Sequence, residues 1–127
     1  MRRLFLVRGL PGSGKSTLGK MLAGGNSFAA DDYFTDEEGV YNFDPEGLRE
    51  AHADCLARVL ACMDSEEETI AVCNTFSQRW EAQVYIDAAP DYGYEVFIIE
   101  CQNSFDNTHD VPESSITAMR DRWECVV

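Results

Sequence analysis

Apolar residues fall along this chain in two rhythms: short unbroken runs, and longer stretches that repeat every three to four positions. The runs are Leu4-Phe5-Leu6-Val7, Ser27-Phe28-Ala29-Ala30, Thr69-Ile70-Ala71-Val72-Cys73 and Tyr94 to Cys101. Unbroken runs of this length predict buried strands. Between the second and third, Leu48, Ala51, Cys55, Leu56, Val59, Leu60 and Met63 recur at helical spacing, with Glu46, Arg49, Glu50, Asp54 and Arg58 largely on the other face. Asp44-Pro45-Glu46 predicts the start of that helix, with Asp as cap and Pro in the first turn. Its end falls near Asp64-Ser65, and Glu66-Glu67-Glu68 reads as a solvated turn. The stretch Ser16, Thr17, Leu18, Lys20, Met21, Leu22 predicts an earlier helix. Ser77 caps another that runs to about Ala89, where Pro90 and Gly93 stop it. Pro112-Glu113 opens a last one, with Ile116, Met119 and Trp123 on one face. Residues 33–43 read as a loop, and the polar stretch 102–112 as a lid.

Strands alternating with helices predict a parallel α/β sheet covered on both faces, in one domain spanning residues 1–127. Chemistry in such a sheet gathers at the carboxyl ends of the strands. Those ends carry residues 9–17, Asp31-Asp32, Asn74-Thr75 and the segment after Cys101.

Residues 9–17 read Gly-Leu-Pro-Gly-Ser-Gly-Lys-Ser-Thr, a complete G-x-x-x-x-G-K-[ST] phosphate-binding loop between a strand and a helix. Successive N–H groups of such a loop form an anion cradle, and the following helix adds its free N–H groups and positive dipole end. Gly12, Ser13, Gly14, Lys15, Ser16 and Thr17 are the expected ligands of ATP or another nucleoside triphosphate. Lys15 reaches the β- and γ-phosphates, the Ser16 hydroxyl ligates Mg²⁺ and Thr17 meets an inner phosphate.

Net charge is −13, yet no acid precedes Asp31, and five of the ten basic residues (Arg2, Arg3, Arg8, Lys15, Lys20) do. Positive charge thus sits where phosphate is expected, while the acidic remainder repels a long polyanion. An extended duplex-binding surface is therefore not expected, and contact with nucleic acid would be confined to its end; the acidity reads equally as serving solubility alone. No apolar run is long enough to cross a bilayer. Arg2 and Arg3 precede too few apolar residues for a secretory signal, so a cytoplasmic location is expected. The five cysteines (Cys55, Cys62, Cys73, Cys101, Cys125) lack C-x-x-C spacing and read as reduced, buried thiols.

Taken together, these blocks resemble the P-loop polynucleotide 5′-hydroxyl kinases. The likeness rests on residues 9–17; Ala30-Asp31-Asp32-Tyr33-Phe34; Tyr41-Asn42-Phe43-Asp44 with Ala51-His52; Asn74-Thr75 with Trp80-Glu81; and Asn107-Thr108-His109-Asp110-Val111-Pro112. It implies a P-loop NTPase-type three-layer sandwich with a small four-stranded parallel sheet, the first strand between the third and fourth, and a short lid. It also implies an ATP-dependent, Mg²⁺-assisted phosphotransferase acting on a nucleic-acid end or a nucleoside-like hydroxyl. Asp31 takes the role of general base beside Lys15. Asp32 either orients Asp31 or binds the metal. Without the resemblance, Asp31-Asp32 reads equally as a strand cap. Thr75, Phe76, Arg79, Asn107 and His109 are the candidate acceptor contacts. Phe76 is either a stacking surface or core, His109 either a phosphate contact or a loop brace, and His52 a structural histidine.

The chain departs from that family at three places. Relatives have an acid at the end of the third strand, where this chain has Cys73-Asn74. Asp106 stands where their lid carries Arg, and no Arg or Lys lies between Arg79 and Arg120. The lid itself is shortened. These departures keep open a small-molecule, nucleoside or modified-base kinase, and a nucleotide-binding regulator without catalysis.

Overall fold

The computed structural model describes residues 1–102 and 113–124. Four strands form one sheet: β1 (Arg2–Gly9), β2 (Ser27–Phe28), β3 (Thr69–Asn74) and β4 (Tyr94–Cys101), in the order β2-β3-β1-β4. Every pairing is parallel, with Leu6 opposite Val72 on one side and Ile98 on the other. β1 lies between β3 and β4, as the resemblance implies. The helices are α1 (Lys15–Ala23), α2 (Leu48–Asp64), α3 (Arg79–Ala88) and α4 (Glu113–Asp121).

Alternation along β1 and β3 splits the core between the two faces of the sheet. Leu4, Leu6, Ile70 and Val72 point to one face and meet Ala51, Cys55, Val59 and Met63 of α2 and Ala82 and Tyr85 of α3. Val7, Ala71 and Cys73 point to the other and meet Leu18, Leu22 and Ala23 of α1. A Cβ on Gly19 would sit 2.3 Å from Cys73 Sγ, so α1 lies directly on the end of β3.

Boundaries differ from the periodicity at three places. β2 ends at Phe28, and residues 30–34 wind into a 3-10 turn instead of continuing as strand or opening as loop. Asp44 caps a short 3-10 turn, Pro45–Gly47, that leads into α2, its side chain accepting from Glu46 N at 3.0 Å. The cap of α3 is Gln78, one residue past the expected Ser77: the Glu81 carboxylate accepts from Gln78 N at 2.8 Å, and from the Ser77 hydroxyl at 3.1 Å. In each case a side-chain acceptor took up free N–H groups that strand or helix periodicity alone does not register.

Candidate functional site

The loop between β1 and α1 is built by glycine. Gly12 and Gly14 adopt φ of 83° and 89°, a left-handed backbone that a side chain would strain. A Cβ on Gly9 would fall 2.3 Å from Ser13 Oγ and 2.9 Å from the Cys101 carbonyl, so the loop root touches the end of β4. Gly14 is the N-cap of α1 and brings no side chain to the first turn. That leaves the leading amides of the helix for a ligand. Ser13 is 4% exposed, and its hydroxyl is the one buried side-chain polar atom without a partner among the described residues. An open amide end beside an orphaned hydroxyl fits a bound phosphate chain.

Lys15 opens α1 and donates to the Leu10 carbonyl at 3.1 Å. Burial pulls its ammonium below the ordinary lysine value; the strongest opposing influence is the negative charge of Asp31, ahead of Cys101 and Cys73. Ser16 and Thr17 follow with exposed side chains.

Asp31 sits on the 3-10 turn Ala30–Phe34, just past the carboxyl end of β2, with its side chain exposed. Side-chain contacts hold the turn. Asn74, 6% exposed at the end of β3, accepts from Ala30 N through Oδ1 at 2.8 Å. Asp32 Oδ2 accepts from Ala29 N at 3.0 Å and pairs with Arg58 of α2 at 3.5 Å. Arg58 also donates to the Ala29 carbonyl at 3.3 Å. Tyr41 donates its hydroxyl to Asp31 Oδ1 at 3.3 Å. Burial, followed by the charge and the hydrogen bond of Asp31, pushes the Tyr41 phenol up to about 12, so it remains a proton donor at neutral pH.

These contacts revise several expectations. Asp32, offered as metal ligand or as brace, has its Oδ2 on the Ala29 amide and on Arg58. The position of the missing strand-end acid holds a neutral amide that binds the Asp31 turn to β3. Phe76 is 1% exposed and packs edge-on against Tyr85 at 5.9 Å, so it belongs to the core and offers no surface to a base. Arg8, counted among charges facing phosphate, is 2% exposed and turned elsewhere. Thr75 is half-buried and Arg79 exposed in the segment after β3. Asn107, His109 and most of the expected lid lie outside the described residues.

Tyr41, Asn74 and Arg58 carry parts of the site that sequence reading did not assign. The available signals were the four-residue spacing of Asp54 and Arg58, which pair at 2.9 Å, and the Tyr41-Asn42-Phe43 block. Beside the Asp31 turn runs a groove of about 490 Å³, lined by Tyr33, Phe34, Asn42, Asp36, Glu46 and Glu50 among others.

The AAA domain family profile matches residues 4–110. The chain is 32% identical over 134 aligned residues to the human NEDD4-binding protein 2, a match that takes in 95% of this chain and 8% of that protein. It also resembles a chain of the solved Pnkp1/Rnl/Hen1 complex, with a TM-score of 0.58 at 19% identity, over 92% of this chain and 38% of that one. The chain therefore spans only a small part of the human protein and well under half of the solved chain, and the latter likeness is one of fold.

Proposed function

We propose a function for this chain on the ground that it belongs to the AAA domain family: it is an ATP-dependent phosphotransferase that moves the γ-phosphoryl group to a hydroxyl, and the acceptor is the 5′-hydroxyl end of DNA or RNA. The observation that carries this reading is the pairing of an uncapped, glycine-built helix start after β1 with an exposed carboxylate, Asp31, held by Tyr41 on the turn past β2. The amides of residues 12–17 and the Lys15 ammonium hold the phosphate chain. A Mg²⁺ ion would be held through the Ser16 hydroxyl and would supply positive charge to offset that of the phosphates.

Asp31 accepts the proton of the acceptor hydroxyl as that oxygen bonds to the γ-phosphorus. The bond from the γ-phosphorus to its bridging oxygen breaks, and ADP leaves. Tyr41, still protonated, keeps the Asp31 carboxylate aimed through its hydrogen bond. Asp32, Arg58 and Asn74 keep the turn that carries it in place. Thr75 and Arg79 are the candidate contacts of the acceptor. Most of the acceleration in such a reaction comes from alignment and cations, so rigid support of Asp31 matters more than added reactive groups.

A small alcohol acceptor is the second reading, and the groove beside Asp31 favours it. Asp36, Glu46 and Glu50 on its wall repel a polyphosphate strand beyond the first nucleotide. Incubation with γ-labelled ATP, Mg²⁺ and a panel of 5′-hydroxyl oligonucleotides and nucleosides separates the two. Label on oligonucleotides supports the end-kinase reading and label on nucleosides alone the small-acceptor reading. ATP binding with no transfer to any acceptor rejects both.

A further inference from the structure

Arg8 is the last residue of β1 before the phosphate-binding loop begins, and it is almost wholly buried. Its guanidinium meets three separate parts of the chain. Nε and Nη2 both donate to the Phe76 carbonyl, at 3.2 and 2.6 Å. Nη2 also donates to the Glu124 carbonyl at 2.7 Å, and Nη1 to Glu100 Oε1 at 3.1 Å. The cation lies over the Trp123 ring, 4.0 Å from its centre, and the Trp123 N–H donates to the same Glu100 oxygen at 3.1 Å.

One further feature gives this cluster a direction. Phe76 has φ of 47°, a left-handed backbone that a bulky residue adopts only when its surroundings impose it. The forked bond from Arg8 to its carbonyl is the local restraint. Next to it, Ser77 O accepts from Glu124 N at 2.8 Å and Ser77 Oγ from Arg122 Nε at 3.0 Å. The turn that sets Thr75 at the carboxyl edge of the sheet is thus clamped from the root of the nucleotide loop.

We propose that Arg8 is a positioning residue that couples the nucleotide loop to the acceptor-side turn Thr75–Ser77, by holding Phe76 in its left-handed conformation and docking Trp123 and Glu124 against it. This rests on the phosphotransfer reading for its effect on rate, but not for its effect on structure. A lysine keeps the charge and loses the planar fork, so Arg8→Lys isolates the geometry.

The full chain carrying Arg8→Lys is compared with wild type by amide hydrogen exchange and by steady-state phosphoryl transfer. Exchange is expected to rise at least tenfold at Ser77, Gln78 and Glu124, and by less than threefold at residues 4–7 and 70–73. ATP affinity stays within about twofold, while kcat falls at least tenfold. A uniform rise across the sheet, or no rise at 77–78, overturns the proposal. So does a rate loss wholly explained by weaker ATP binding. If wild type transfers no phosphate, the phosphotransfer reading fails and the exchange pattern alone decides on Arg8. Should Arg8→Lys not fold, Glu100→Ala, which removes one partner at a half-exposed position, is read in its place. It is expected to raise exchange at Glu124 at least threefold without touching 70–73, and an unchanged Glu124 overturns the proposal.

Discussion

Removing the Asn74 side chain tests how Asp31, the proposed general base, is held. In Asn74→Ala the Ala30 N–H loses its 2.8 Å acceptor. Ala30 and Asn74 are both 6% exposed, so no solvent replaces that acceptor unless the turn opens. A buried donor left unpaired costs about 1–3 kcal/mol. The bond from Asn74 Nδ2 to Cys55 Sγ, at 3.8 Å, is weak and adds little. A loss of about 2 kcal/mol lowers the melting temperature of a domain this size by about 6–10 °C. If the turn relaxes instead, the Asp31 carboxylate moves, and a shift of about 1 Å in a reacting group costs about 100-fold in rate. Calorimetry and phosphoryl-transfer kinetics on the same preparation read both effects. We expect a lower melting temperature, a reduced kcat and an ATP affinity within about twofold of wild type, because the phosphate-binding loop makes no hydrogen bond to Asn74. A melting temperature and a kcat both equal to wild type would refute the idea that this amide positions the base.

Four other outcomes follow. Gly9→Ala drives a methyl into Ser13 Oγ and the Cys101 carbonyl; since backbone cannot yield cheaply, ATP affinity in calorimetric titration should fall at least about tenfold. Lys15 binds phosphate only when protonated, and burial lowers its pKa; ATP affinity measured from neutral to alkaline pH should therefore decline before the ordinary lysine range is reached, and Lys15→Arg should flatten that decline. For the same reason, folding stability gains with pH between the lowered value and the ordinary one, because there the unfolded chain holds the extra proton. Tyr41→Phe leaves Asp31 without its 3.3 Å donor; kcat is expected to fall about three- to tenfold while ATP affinity holds, and an unchanged kcat removes Tyr41 from the site.

The parts legible in the sequence are those fixed by local pattern. β1, β3 and β4 are unbroken apolar runs, and the phosphate-binding loop is set by glycines whose positive φ no other residue accepts without strain. Strand order came from the family likeness, because periodicity does not say which strands pair. What stayed hidden depends on partners far along the chain. Arg8 looks like a phosphate-facing cation until Phe76, Glu100 and Glu124, between 68 and 116 residues away, close over it. The hold of Asp32 on its own turn was equally hidden, since Arg58 reaches its Oδ2 from α2. Asn74 reads as a lost acid, yet its neutral amide is what a buried N–H needs without the burden of desolvating a charge. The turn at residues 30–34 was missed because a short 3-10 segment has no hydrophobic period of its own.

The division of labour between Lys15 and Asp31 is the centre of the account, and calorimetric titration of ATP·Mg²⁺ into Lys15→Ala and Asp31→Asn, alongside label transfer to a 5′-hydroxyl oligonucleotide, tests it most directly. The account predicts that Lys15→Ala loses both binding and turnover, whereas Asp31→Asn binds ATP as wild type does and transfers no label above background. Equal loss of ATP binding in the two variants, or undiminished transfer by Asp31→Asn, would contradict it.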